Sequence, residues 1–194
     1  MKAINILLIT ASVLALQVSQ LSAQSFSIKS YKLTVKGSSS LHDWESSVEK
    51  LEGSGAFVLE NNALVDIKHA VVKIPVKAIK STKGRMMDQK TYDAFDADKN
   101  PTIIFVLQSK KIDAAKNTLV ASGALTMAGV TKPVELNLSY KILPDGALRI
   151  TGSKKLTMSE FKMEPPTAMM GTIKVGDQIE VTIDLTLTLD SASL

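Results

Sequence analysis

The 194-residue chain predicts an all-β fold: a single antiparallel eight-stranded β-barrel with one short helix between strands and a second short helical turn. Three observations carry this expectation. Apolar and polar residues alternate with a period of two through long segments, the connections between those segments are short, and Cys is absent, so one continuous core must supply the stability. Short connections make successive strands antiparallel neighbours. Eight such strands leave edges, and closure into a barrel removes them.

Residues 1–23 read as a signal peptide: Lys2, the apolar run "INILLITASVLALQV", then a small-residue exit with cleavage near Ala23. The apolar run is short for a membrane span, and no Cys follows it to carry a lipid anchor. The mature domain, residues 24–194, is therefore expected to be periplasmic or secreted.

Within it the strands fall in order. The first is "YKLTVKG" (31–37), followed by "GSGAFVLE" (53–60) and "LVDIKHAVVKIPV" (64–76), with Asn61-Asn62 between the latter two as a turn that tolerates positive φ. Residues 77–100 interrupt the meander. Gly84 breaks the chain there, and Met87, Thr91, Ala94 and Phe95 share one helical face before Asn100-Pro101 ends the segment. "PTIIFVLQS" (101–109) and "TLVASGALTM" (118–127) flank a Lys116-Asn117 turn, and "PVELNLSY" (133–140) leads to Pro144-Asp145-Gly146 and "ALRITGSKKLT" (147–157). A short helical turn is expected at "TMSEF" (157–161), followed by a Pro- and Gly-containing loop. "QIEVTIDLTLTL" (178–189) closes the set, with Ile179, Val181, Ile183, Leu185, Leu187 and Leu189 on one face.

The formal charge of +4 is too evenly mixed to indicate nucleic acid as a partner. One imbalance stands out: Lys68, Lys73, Lys77, Lys80, Lys83, Arg85 and Lys90 are opposed only by Asp88. Such a run is ordinarily a solvated rim, and its sharper reading is attraction to an anionic membrane surface.

Catalytic signatures are absent: no nucleophile elbow, phosphate-cradling glycine loop, dinucleotide fingerprint or zinc-protease helix. No metal and no cofactor is implied, since a catalytic zinc takes three protein ligands and the chain has two His and no Cys. His69 groups by alternation with Val65, Ile67 and Val71, as a partly buried or edge His. "SSSLHDWE" sets Ser39, His42 and Asp43 beside the lone Trp44, but immediate neighbours within a strand point to opposite faces, which argues against a triad. Methionines 86, 87, 127, 158, 163, 169 and 170 suit either irregular core gaps or a mouldable apolar site.

"GALTMAGVTKPVELNL" (123–138) resembles the signature of the YceI-like family. "SSSLHDWE", "TYDAFDADKNPTIIF" and "GTIKVGDQIEVTIDL" match further family segments in the right order, so that the resemblance spans about residues 27–189. It implies a lipocalin-like barrel exported to the periplasm, with a long isoprenoid chain of polyprenyl or quinone type held in its interior. The chain departs from the family pattern at "KGRMMDQKTYDAF", where no His stands, leaving Arg85 and Lys90 as the nearest basic groups.

The expected function is therefore that of a non-enzymatic carrier of an isoprenoid-like or other amphiphilic lipid. Expected lining residues are Phe57, Leu59, Ile103, Phe105, Leu125, Met127, Leu136 and Ile183, with Met86, Met87, Met169 and Met170 near the barrel ends. Candidates for touching a headgroup are His42, Arg85 and Lys90, and Trp44 is expected to pack as a large apolar plug. Two other readings stand beside it: a solid-core interaction module whose basic rim meets a partner or membrane, and a lipid hydrolase or isomerase acting through His42 with Asp43. A homodimer and peripheral membrane contact are the further partners that the sequence leaves open.

Overall fold

Eight long strands close on themselves in the computed structural model, which describes residues 24–190. The predicted signal, residues 1–23, lies outside the described residues. The ring strands are β1 (Gln24–Ser39), β3 (Glu52–Glu60), β4 (Ala63–Pro75), β6 (Thr102–Asp113), β7 (Thr118–Met127), β8 (Val130–Ile142), β9 (Leu148–Thr157) and β11 (Ile173–Leu189). Three short strands, β2 (Trp44–Val48), β5 (Ile79–Ser81) and β10 (Thr167–Ala168), and one helix, α1 (Arg85–Phe95), complete the set, with 3-10 turns at Val76–Ala78 and Met158–Phe161. Every ring strand overlaps one predicted from alternation. The three short strands were not predicted, because two to five residues with little alternation carry no periodic signal.

The ring runs β1, β11, β9, β8, β7, β6, β4, β3 and back to β1, antiparallel throughout. Its closing seam is thin, since β3 meets β1 only through Gln24↔Phe57 and Ser25↔Ala56. Farther along, β1 gives the same edge to β2, with Thr34 to Gly37 opposite Ser47 to Trp44, and β2 in turn pairs with β5. One long strand thus serves both the barrel and a small lip at one end.

The turn residues act as their chemistry predicts. Asn61 and Asn62 both have positive φ (47° and 59°), Asn117 does at 53°, and Gly146 does at 78°. The helix starts after Gly84 and stops at Asp96, whose left-handed backbone returns its N–H to the carbonyls of Tyr92 and Asp93. It is tied down over the lip. Asp88 accepts from the Ser81 N–H (2.7 Å), while the Tyr92 hydroxyl donates to the Lys77 carbonyl (3.0 Å) and accepts from Lys80 Nζ (2.6 Å). That bond to Tyr92, followed by the attraction of the Tyr92 and Asp88 oxygens, holds the Lys80 amine above its ordinary range.

Two buried clusters fill the two ends. Leu33, Val48, Val76, Ile79, Phe95, Met127, Leu156 and Phe161 pack at the helix end. Phe26, Phe57, Leu64, Leu119, Leu138, Leu148 and Leu187 pack at the far end, where Tyr140 is also buried with its hydroxyl unpartnered among the described residues.

Two bulges correct the strand-face assignment in β4. Its register against β3 shifts between Val58 and Leu59 and between Ser54 and Ala56, so Leu64, Ile67, Ala70, Val72 and Ile74 pack inside rather than an unbroken alternate series. His69 sits in the second bulge with φ 52° and is exposed, not grouped with Ile67 as alternation alone predicts.

Candidate functional site

The two end clusters leave a space between them. This cavity, about 270 Å³, is lined by inward residues of every ring strand, by the lip and by α1. Among its lining residues only Ser46, Ser81, Lys90, Thr91 and Lys154 carry hydroxyl or charged side chains, and none is acidic. The helix contributes Met87, Lys90, Thr91, Ala94 and Phe95, a spacing that places all five on one face turned to the lumen.

A smaller depression of about 150 Å³ lies outside, between Ser39, His42, Lys83, Thr167 and Ile173. It shares Trp44, Met87, Lys90, Pro166 and Val175 with the cavity, so these five form the lip between lumen and exterior. Trp44 is fixed there by an Nε1–H bond to the Ser38 carbonyl (3.0 Å), and the absence of a side chain at Gly37 makes room for its ring. Trp44 therefore walls both spaces instead of plugging one.

The "SSSLHDWE" segment is used structurally. Ser39 Oγ donates to the His42 carbonyl (2.7 Å) and accepts from the His42 N–H (3.2 Å), closing a turn, and His42 Nδ1 lies 2.8 Å from the Asp43 carbonyl oxygen. The chain is held against β11 by the Ser40 N–H, which donates to the Lys174 carbonyl (2.8 Å). The side chains of Ser39 and His42 thus contact the backbone groups of His42 and Asp43 in a rim turn.

Of the residues predicted to line the barrel, Phe57, Met87, Ile103, Phe105, Leu125, Met127, Leu136 and Ile183 lie together on the cavity wall. Leu59 does not: beyond the bulge it packs against the far-end cluster. Met86 is 76% exposed, because it stands about 100° around the helix from Met87. Met169 and Met170 occupy the turn between β10 and β11 with φ of 51° and 55°, which points them to solvent at 73% and 108% exposure. Of the headgroup candidates, Lys90 is on the lip, His42 is in the outer depression, and Arg85 lines neither space.

Sequence reasoning missed Ser46, Ser81 and Lys154. For Lys154 a signal existed, since it shares parity along β9 with Ile150 and Leu156, both of which line the cavity.

Comparison with known proteins agrees with the architecture. A family model described as the YceI-like domain matches residues 16–187. No curated protein matches the chain. Among solved structures, BcnA of Burkholderia cenocepacia superposes with TM-score 0.68 at 19% identity, covering 81% of this chain and 96% of that one. A polyisoprenoid-binding domain from Saccharophagus degradans, implicated in plant cell wall breakdown, gives TM-score 0.66 at 12% identity, covering 86% and 99%. The Campylobacter jejuni YCEI protein gives 0.55 at 20%, covering 98% and 99%. At these identities the structural likeness establishes the fold, and the family match over most of the sequence establishes descent: the chain belongs to the YceI-like domain family.

Proposed function

We propose that this protein is an exported, non-catalytic carrier that holds an amphiphilic lipid of isoprenoid type, polyprenyl or quinone-like, inside its barrel. The observation that carries the reading is the apolar cavity walled by residues of both core clusters and bordered by a lip that bears the helix. Each CH₂ moved from water into such a wall contributes about 0.8 kcal/mol, so a chain of a dozen or so carbons suffices for tight binding even after association costs. The family match and the polyisoprenoid-binding relative favour the same ligand class. A barrel packed solid would leave no such space, which disfavours the solid-core reading. The N-terminal pattern supports export, with a mature protein starting at Gln24; N-terminal sequencing of the envelope fraction checks it.

Native mass spectrometry of detergent-free protein tests the carrier function. A lipid mass released on unfolding, or stoichiometric uptake of an added polyprenyl or quinone ligand, is expected. Neither being seen would sink the proposal.

The exposed apolar residues favour loading at a membrane surface. Leu41, Met86, Met169 and Met170 are exposed on segments around the outer depression, whose lining includes Lys83 and Lys90 and no carboxylate. Co-sedimentation with anionic vesicles should exceed that with neutral ones and weaken with salt, and equal binding to both would remove this route.

A further inference from the structure

Lys154 is out of place in this wall. The strand register sets Lys154 opposite Val181, Val181 opposite Val35, Val35 opposite Ser46, and Ser46 opposite Ser81, a row crossing β9, β11, β1, β2 and β5. Directly opposed residues on antiparallel strands face the same side, and all five line the cavity. One level of an apolar lumen thus carries a lysine at one end of the row and two hydroxyls at the other, beneath Lys90 and Thr91 of α1. Lys90 belongs to the lip and can extend outward, whereas Lys154 lines the cavity alone. Among the described residues no carboxylate forms a salt bridge with either lysine.

An inward lysine costs stability unless something pairs with it. A lysine and two hydroxyl donors at one level, with a second lysine on the adjoining lip and no acid among the lining residues, are complementary to a compact anion, and charge-assisted bonds are roughly twice as strong as neutral ones. We propose that Lys154, with Ser46 and Ser81, binds the anionic headgroup, carboxylate or phosphate, of a single-chain amphiphile whose tail runs toward Phe57, Leu119 and Leu138. This inference rests on the lipid-carrier reading and specifies the end of the ligand which that reading leaves undefined.

Three probes with one tail separate the two ideas: hexadecanol, hexadecanoate and hexadecyl phosphate, titrated into delipidated protein with the emission of Trp44 as the signal. The wild type should bind an anionic probe at least about tenfold tighter than hexadecanol, about 1.4 kcal/mol. The anion with the larger gain identifies the headgroup. Lys154→Met should bring the ratio to about one while keeping hexadecanol affinity, and Lys154→Arg should keep most of the preference. A preference that survives Lys154→Met, or none in the wild type, overturns the headgroup site alone. Failure of all three probes to bind overturns the carrier reading and this inference with it.

Discussion

At the scale of single residues, Gly37 and Trp44 show how a missing side chain builds the mouth. A Cβ on Gly37 would collide with the indole, which is anchored to the Ser38 carbonyl and forms part of the lip. Gly37→Val should therefore push the ring off its seat. A red-shifted Trp emission and a loss of about 1–3 kcal/mol in denaturant unfolding are expected, and an unchanged spectrum would contradict the placement. The sequence identified Trp44 as a landmark because it is the lone Trp beside His42. It did not reveal that the indole faces two spaces, since that depends on β2 pairing with β1 across a turn.

At the scale of elements, alternation identified the ring strands but not the points where they change face. β4 is the clearest case, because bulges at two points carry its apolar residues inward on shifting parity. His69 occupies the second, with a left-handed backbone that β-branched residues resist. Thermal melts should show His69→Val, a good strand former by propensity, destabilised by about 1–2 kcal/mol, with His69→Gly neutral or slightly stabilised. Equal stability of the two variants would argue against the bulge. The helix was legible to its inward face, Met87, Thr91, Ala94 and Phe95, because a 3.6-residue period survives in sequence. Met86 differs from its neighbour only by one step around that helix, and a count of methionines cannot separate them.

At the scale of the whole molecule, ion pairs lace the outside of the barrel across elements distant in sequence. Arg149 grips Asp184 with two bonds, Nε to Oδ1 at 2.9 Å and a second guanidinium nitrogen to Oδ2 at 2.7 Å; Lys110 lies 2.7 Å from Asp66, and Lys29 lies 2.6 Å from Asp145. These cations, chiefly through their hydrogen bonds, hold the Asp184, Asp66 and Asp145 carboxyls below the ordinary value of 3.8. A carboxyl whose folded pKa is depressed adds stability above its unfolded pKa, and that stability is lost as pH falls through the folded value. Tm should therefore be insensitive to these groups at neutral pH and fall below about pH 4. Asp184→Asn should remove part of that acid dependence. A melting curve with the same acid slope in both proteins would show that the Arg149 pair contributes nothing.

The sequence by itself determined the ring: eight alternating segments, turn residues able to take positive φ, and one interrupting helix, because strand and helix periods are local properties of side-chain order. It also determined the family, through motifs spread over about residues 27–189. Only the tertiary structure decided that the two ends are packed while the middle is open, that Met169 and Met170 face solvent, that β1 divides its edge between β3 and a lip, and that Lys154, Ser46 and Ser81 share one level. Those outcomes depend on register, bulges and the way strands meet around a closed ring, which arise between segments and leave almost no trace within any one of them.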